Sequence, residues 1–490
     1  MGIPVYFKTL VQEYQDSILI KNKLTSIQSL FLDLNCAIHP CCSGESDEEI
    51  MLNKIISKID ELVQYTNVED LLYIAVDGIP PKGKMKQQRM RRYKSMYENK
   101  VWDTNAISPG TRFMDKLNKR LKTIKYEKLK IIISDTTERG EGEHKILQYI
   151  KTNKLENSVI YGLDADLIML SIVSHRDNIY LLRERTEYNI EDTDNDYIYM
   201  NIDKLKDFIV KDIGVKAKKE IVLNDYIFIC FLLGNDFINH IHSLSLRYNG
   251  YDYLMETYKN LQERYGGYFR LIDLRIENCI HLTFFKEFIK ELSLKEHLFL
   301  EKRKRIRDKQ YKITYSRYGC IYDEFVKFIS DKDLMDINLT METIHKFEMS
   351  KLHDSNEYEM TKEMINNLPI LFWQKEKRLK DNYDENICCD YLDSLIWTSH
   401  YYFKECVNWR YATEYDHTPS LKDLSRYIEE KDSLSIDSGD NEYTIEELLK
   451  FIFPNESHNL HNHKVKSKNY ELHVEPFYHR YLWECPINFI

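Results

Sequence analysis

Short apolar runs punctuate the first half of the chain. They are Leu30–Leu34 (LFLDL), Leu71–Val76 (LLYIAV), Leu129–Ile133 (LKIII), Val159–Leu163 (VIYGL) and Ile179–Leu182 (IYLL). Each is short, rich in β-branched or aromatic residues, and not cleanly alternating, which is how strands buried on both faces read. Helical patterns separate them, as at Asp47–Tyr65 and Thr111–Thr123. Strands alternating with helices predict an α/β fold with a mostly parallel sheet and helices on both faces. In such sheets functional groups gather beyond the carboxyl ends of the strands. Carboxylates stand there: Asp33 near the end of the first run, Asp77 directly after the second and Asp164 directly after the fourth.

From about Tyr251 the pattern changes. The second half reads as mainly helical, with many charges and long polar connections at Ser350–Glu359 and Glu429–Glu442. The Asn249-Gly250 dipeptide is a strong turn signal between the halves. The expected organisation is therefore an α/β domain over residues 1–248 and a mainly helical second region over 249–490. The segment Leu460–Lys468 is expected to be an exposed loop, and no internal repeat is seen.

Bulk properties adjust this picture only slightly. A chain of 490 residues is too long for one ordinary core. The net charge of −10 argues against a simple basic nucleic-acid binder. That argument is weak where bound cations reverse the local sign. Ten cysteines occur without a C-x-x-C pair, so a zinc ribbon is not expected. Charge from Lys8 onward spoils a signal peptide, and no apolar run approaches a membrane span. A reducing, cytoplasmic setting and no membrane partner are the expectations. The basic run Glu301–Lys312 (EKRKRIRDKQYK) reads as a solvated charged helix rather than an import signal.

Five clusters supply acids. Asp33 lies in LFLDLNCAIH, Asp77 in IAVDGIPP, Glu141 and Glu143 in RGEGEHK, Asp164 and Asp166 in GLDADLIML, and Asp236 in FLLGNDFI. Any one of them alone could be a turn residue, or an acid favouring the positive end of a helix. Asp164 and Asp236 adjoin apolar runs, where an unpaired carboxylate is costly. Hard divalent cations take oxygen ligands, and two of them clamp both oxygens of an in-line displacement. One element cannot surround two ions, so several separate acids are what such a site requires.

Residues 82–94 read KGKMKQQRMRRYK. Lys84, Gln88, Arg91 and Arg92 fall at i, i+4, i+7 and i+8, which is one helical face. Guanidinium forks and an ammonium suit a terminal phosphate. A solvated basic helix is the commoner explanation of such a run, but its start shortly after Asp77 favours a phosphate pocket beside the acids.

Taken in order, MGIPVYFKTL, FLDLNCAIH, AVDGIPPKGKMKQQRMRRYK, ISPGTRFM, GEGEHKI, YGLDADLIML and LLGNDFI resemble the characteristic blocks of the XRN family of 5′→3′ exoribonucleases. The likeness resumes at Tyr391–Pro419 (YLDSLIWTSHYYFKECVNWRYATEYDHTP). The resemblance implies a PIN-like nuclease domain with a helical second region completing the active-site cavity. It implies that Asp33, Asp77, Glu141, Glu143, Asp164, Asp166 and Asp236 hold two Mg²⁺ or Mn²⁺ ions as the catalytic centre. Lys84, Gln88, Arg91 and Arg92 would bind a 5′ monophosphate, selecting decapped single-stranded RNA for hydrolysis to mononucleotides. A decapping enzyme would be a natural partner. His39 would stack on the first base, with Trp409 across from it. Two departures stand out. Arg139 occupies the place where the family usually has proline, and the Tyr/Trp-rich block is altered to WRYATEYDHTP. The extra C-terminal domains of the large cytoplasmic members are not expected in a chain of this length. Two other readings are a flap endonuclease-like DNA enzyme and a non-catalytic RNA-binding scaffold. FINHIHSLSLRYNG is a poor fit to the Gly-rich loop the first needs, and retention of all seven acids argues against the second.

Overall fold

The computed structural model describes residues 17–95, 101–162, 164–185, 194–330, 384–415, 418–439 and 441–467. The MGIPVYFKTL block and the Ser350–Glu359 connection lie outside the described residues. A seven-stranded mixed sheet forms the first half: β1 (Leu19–Ile20), β2 (Ser29–Asp33), β3 (Leu71–Ala75), β4 (Lys130–Ser134), β5 (Ser158–Tyr161), β6 (Ile179–Glu184) and β7 (Tyr197–Asn201). Its order is β1-β7-β6-β5-β2-β3-β4. The central pairings β6-β5, β5-β2, β2-β3 and β3-β4 are parallel, whereas β7 and β1 add antiparallel at one edge. The five expected strands all form. β1 and β7 were not foreseen, because the first is two residues long and the second follows an acidic stretch.

Helices connect the strands. They are α1 (Asn35–Cys42), α2 (Glu48–Thr66), α3 (Lys82–Ser95), α4 (Arg112–Leu121), α5 (Gly142–Asn153), α6 (Ala165–Val173), α7 (Ile202–Ile213) and α8 (Lys219–Phe231). Local chemistry sets several boundaries. The Asp47 carboxylate accepts from the amides of Glu49 and Ile50 to start α2, and Asn67 ends it at φ 48°. Thr111 starts α4 by accepting from the Met114 amide.

Pleating divides the core between the two faces of the sheet. Leu30, Leu32, Leu72 and Ile74 pack with α2 residues such as Ile55 and Ile59. Phe31, Tyr73 and Ile160 point the other way, into a cluster that runs on to Phe285, Leu395 and Leu424 of the second half. The second region is thus built onto one face of the sheet by a shared apolar core.

That region is mainly helical, as expected: α9 (Gly250–Arg264), α10 (Leu282–Ser330), α11 (Glu385–Phe403), α12 (Leu421–Glu429) and α13 (Ile445–Ile452). Asn249 adopts φ 64° at the anticipated turn, and a Cβ on Gly250 would come within 2.5 Å of the Leu244 carbonyl carbon. The core nevertheless continues across this turn, through Leu244 and Leu254. The basic run Glu301–Lys312 lies on α10. Its Glu301, Lys302 and Arg305 are exposed, but Arg303 is buried against His242, 2.9 Å from Nδ1. In the expected loop at Leu460–Lys468, exposed Asn462, Lys464 and Lys466 alternate with more sheltered neighbours, and His461 is buried. No described helix is long and apolar enough to cross a membrane.

Candidate functional site

The seven acids arrive on five strand-end or helix-end segments. Asp33 closes β2, and Asp77 lies just past β3. Glu141 is the residue before α5 and Glu143 is in its first turn; Asp164 and Asp166 hold the same places on α6. Asp236 follows α8. Neither Glu141 nor Asp164 spends its side chain on capping. The positive ends of α5 and α6 therefore offset part of the repulsion between neighbouring carboxylates.

Two glycines make the approach possible. A Cβ on Gly78 would lie 1.7 Å from the Glu138 carbonyl oxygen, so the Asp77 loop can lie against the 136–140 segment only with glycine there. The amide of Gly78 donates to Gly140 O, and that of Gly140 to Ile79 O, both at 2.9 Å. A Cβ on Gly142 would lie 2.7 Å from Asp33 Oδ1. The Asp33 carboxylate thus rests directly on the start of α5.

The acids act on one another. Burial first, then the nearby charges of Asp77 and Asp164, push Asp33 well above the usual carboxylate range. Burial and the neighbouring Asp166 and Glu141 do the same to Glu143. Burial and Asp236 raise Asp166 to about 6. Burial followed by Glu141 raises Asp77. Asp164 stands apart in being exposed. Two oxygens in the cluster, Asp33 Oδ1 and Glu143 Oε2, are buried without a hydrogen-bond partner among the described residues. Buried carboxylate oxygens in this condition have the chemistry to hold a hard cation. The donor set, all carboxylate oxygen, suits Mg²⁺ or Mn²⁺.

The rest of the constellation orients these groups. Asn35 Nδ2 donates to Asp77 Oδ2 at 2.8 Å, and the Asp77 amide donates back to Asn35 Oδ1 at 3.1 Å. The Gly142 amide donates to Asp77 Oδ1 at 2.7 Å. Lys145 Nζ donates to the carbonyls of Val76 (2.8 Å) and Asp135 (2.9 Å), tying the ends of β3 and β4 together. His144 lies beside the acids, its potential ligand atom within 4.8 Å of those of Glu141 and Glu143. Packing around its ring pushes its pKa well below the usual range, so it is neutral at pH 7. α11 contributes Tyr401 and Tyr402, whose hydroxyls donate to Glu141 Oε2 (2.9 Å) and Asp166 Oδ1 (3.0 Å). Sequence reasoning did not nominate Asn35, His144, Lys145 or either tyrosine.

The basic helix α3 lies alongside. Lys84 Nζ sits 2.6 Å from Glu141 Oε1 and 2.8 Å from Asp236 Oδ2. Burial opposes the charged forms of both partners. The mutual attraction wins: Lys84 is raised well above its usual range and Asp236 is held below its own. Gln88 is buried, and its Oε1 finds no partner among the described residues. Arg91 is exposed. Arg92 donates through Nε (2.9 Å) and Nη2 (2.7 Å) to Ser108 Oγ in the ISPGTRFM block. Met85, the residue after Lys84, packs against Leu448, Leu449 and Ile452 of α13, so the second region also supports this helix.

His39 is exposed near the end of α1. Trp409 is half-buried after α11; its ring edge is 3.8 Å from where a Gly140 Cβ would lie, and its carbonyl accepts from the Lys82 amide at 3.0 Å. Arg139 stacks its guanidinium 4.8 Å from the centre of the Trp409 ring and ion-pairs with Glu442. Arg139 therefore braces Trp409 against the loop before α5.

A family model described as the XRN 5′-3′ exonuclease N-terminus matches residues 1–100 and 94–185, and one described as the Xrn1 helical domain matches residues 216–367. The chain belongs to the XRN family. This XRN chain is 31% identical over 333 residues to the 5′-3′ exoribonuclease 2 of Aspergillus oryzae, covering 49% of this chain and 32% of that protein. It is 23% identical over 610 residues to the 5′-3′ exoribonuclease 1 of Saccharomyces cerevisiae, covering 94% of this chain and 40% of that one. The chain thus spans well under half the length of these two relatives. Among solved structures, the catalytic core of Rad2 in complex with DNA substrate aligns at 13% identity with a TM-score of 0.34, over 54% of this chain and 72% of that one.

Proposed function

We propose that this XRN chain is a metal-dependent 5′→3′ exoribonuclease that removes mononucleotides from single-stranded RNA bearing a 5′ monophosphate. The observation that carries the reading is the acid cluster itself: carboxylates gathered from five segments, with Asp33 Oδ1 and Glu143 Oε2 buried and without a hydrogen-bond partner among the described residues. Asp33, Asp77, Glu141, Glu143, Asp164, Asp166 and Asp236 would hold two Mg²⁺ or Mn²⁺ ions. Such ions lower the pKa of water and stabilise charge on a phosphate undergoing displacement.

The protein's own part is to fix the geometry. Asn35 and the Gly142 amide hold both oxygens of Asp77. Lys84 and Gln88 present an ammonium and an amide on the side of α3 facing the acids, and Arg91 and Arg92 continue that face as binding groups for the 5′ phosphate. Groups of this composition would bind a monophosphate in preference to a cap. His39 and Trp409 are the proposed stacking pair for the first base, a sequence-tolerant contact suited to an enzyme that degrades any RNA. A decapping enzyme would generate the preferred end.

The test is degradation of 5′-monophosphate, 5′-hydroxyl and capped RNA, each with Mg²⁺ and with EDTA. The expected result is rapid loss of the monophosphate RNA alone, only with Mg²⁺, and no activity in Asp164→Asn/Asp166→Asn. Equal degradation of all three ends overturns the phosphate pocket. Undiminished activity of the double variant overturns the metal assignment.

A further inference from the structure

The last turn of α11 reaches the acid cluster from the second region. Tyr401 and Tyr402 are consecutive, so their side chains leave the helix about 100° apart. One hydroxyl meets Glu141 at the start of α5, and the other meets Asp166 in the first turn of α6. A single helical turn therefore spans both acid-bearing helices of the sheet.

The rings are clamped. His144 stacks on Tyr401 with centroids 3.8 Å apart and meets Tyr402 edge-on at 5.9 Å. Trp397 stacks on the Tyr401 ring at 4.9 Å, and Phe231 packs against Tyr402 at 4.9 Å. Both tyrosines are at least 95% buried. Such rings cannot swing away to follow a mobile partner, so each hydroxyl pins one carboxylate oxygen in place. The donors are also neutral. They fix orientation without cancelling the negative charge, which leaves the carboxylates able to hold a cation. Glu141 shows the division clearly: Oε2 takes the phenol while Oε1 faces the Lys84 ammonium.

We propose that Tyr401 and Tyr402 are positioning residues through which the second region sets the metal affinity of the acid cluster. This rests on the two-ion reading above. Hydrogen bonds to ligand side chains commonly account for tenfold to a hundredfold in metal affinity, roughly, when removed.

The experiment uses the full chain and Mn²⁺ alone, with free Mn²⁺ followed by its electron paramagnetic resonance signal. Tyr401→Phe and Tyr402→Phe remove one hydroxyl each and keep the ring contacts. Each variant should bind Mn²⁺ about tenfold more weakly or worse, with RNA hydrolysis recovering as Mn²⁺ is raised. Tyr391→Phe is the control. Its hydroxyl is buried on the same helix without a partner among the described residues, so its loss should leave Mn²⁺ binding unchanged. Circular dichroism in EDTA checks that each variant is folded. Wild-type Mn²⁺ affinity in both Tyr401→Phe and Tyr402→Phe would overturn the proposal while leaving the two-ion reading intact. If wild-type protein binds no Mn²⁺ that Asp166→Asn abolishes, the two-ion reading itself falls, and this inference falls with it.

Discussion

Asp225 offers a test of how the two halves are joined. It lies on α8, the helix that leads to Asp236, and is 0% exposed. Its Oδ1 accepts from the amides of Leu271 (2.8 Å) and Ile272 (2.9 Å), and its Oδ2 from the Tyr258 hydroxyl (2.9 Å). Burial outweighs these bonds and raises its pKa from 3.8 to about 7. The folded chain therefore holds a proton there between about pH 4 and 7 that the unfolded chain releases. Stability through this group falls as pH rises through that window and stops falling above it. At about 1.36 kcal/mol per unit, the loss between pH 5 and pH 8 is roughly 3 kcal/mol. Asp225→Asn keeps an oxygen for the two amides and removes the titration. Its Nδ2 donates to the Tyr258 hydroxyl, which must turn to accept it, at a cost of about 1 kcal/mol. The order of stability should therefore invert: the variant trails wild type by about 1 kcal/mol at pH 5 and leads by about 2 kcal/mol at pH 8. Urea unfolding at both pH values, in EDTA, measures this. A variant less stable by the same margin at both pH values would refute the argument.

Two further outcomes concern the site. Lys84→Met strips the ammonium from Glu141 and Asp236, whose side chains are only 5% and 4% exposed; unfolding in EDTA should show a loss of about 3–5 kcal/mol, with Mg²⁺ restoring more stability than it adds to wild type. Unchanged unfolding in EDTA would show that the ion pairs contribute nothing. Gly142→Ala places a methyl 2.7 Å from Asp33 Oδ1, so that carboxylate must move; Mg²⁺-dependent hydrolysis should drop about tenfold or more while the variant remains folded by circular dichroism, and a wild-type rate would mean that the position of Asp33 is not critical.

The sheet was legible because buried parallel strands leave a strong signature. Leu71–Ala75 and Ile179–Glu184 each form within about two residues of the apolar runs that announce them. The positions of Asp77 and Asp164 at strand ends were legible because they directly follow apolar runs. The strand Tyr197–Asn201 was not, since its antiparallel pairing between β6 and the two-residue β1 is decided by what lies alongside it rather than by its own pattern. Lys84 was legible as a cation sharing a helical face with Gln88, Arg91 and Arg92, but spacing alone could not show it lodged between Glu141 and Asp236. Tyr401 and Tyr402 sit in a ring-rich stretch whose obvious use is packing. Which hydroxyl meets a carboxylate depends on how α11 lies across α5 and α6, which is a tertiary fact. Arg139 was ambiguous for the same reason: its partners, Trp409 and Glu442, are hundreds of positions away.

The charge balance inside the cluster also bears on its chemistry. Asp33 receives the Cys36 thiol, Asp77 the Asn35 amide and a backbone N–H, Glu141 and Asp166 the two phenols. All of these donors are neutral. Lys84 is shared between Glu141 and Asp236, and the Lys145 ammonium is bonded to two backbone carbonyls. Neutral donors fix where carboxylates point but leave their charge to be balanced by something else. Without a cation, the cluster relieves itself by protonation, which is the sense of the upward shifts at Asp33, Glu143 and Asp166. Divalent cations would relieve the same strain without protons and restore the ionised forms. On the proposed function, the overall negative charge of the chain would be no obstacle to binding RNA, because cations held by the cluster would reverse the local sign.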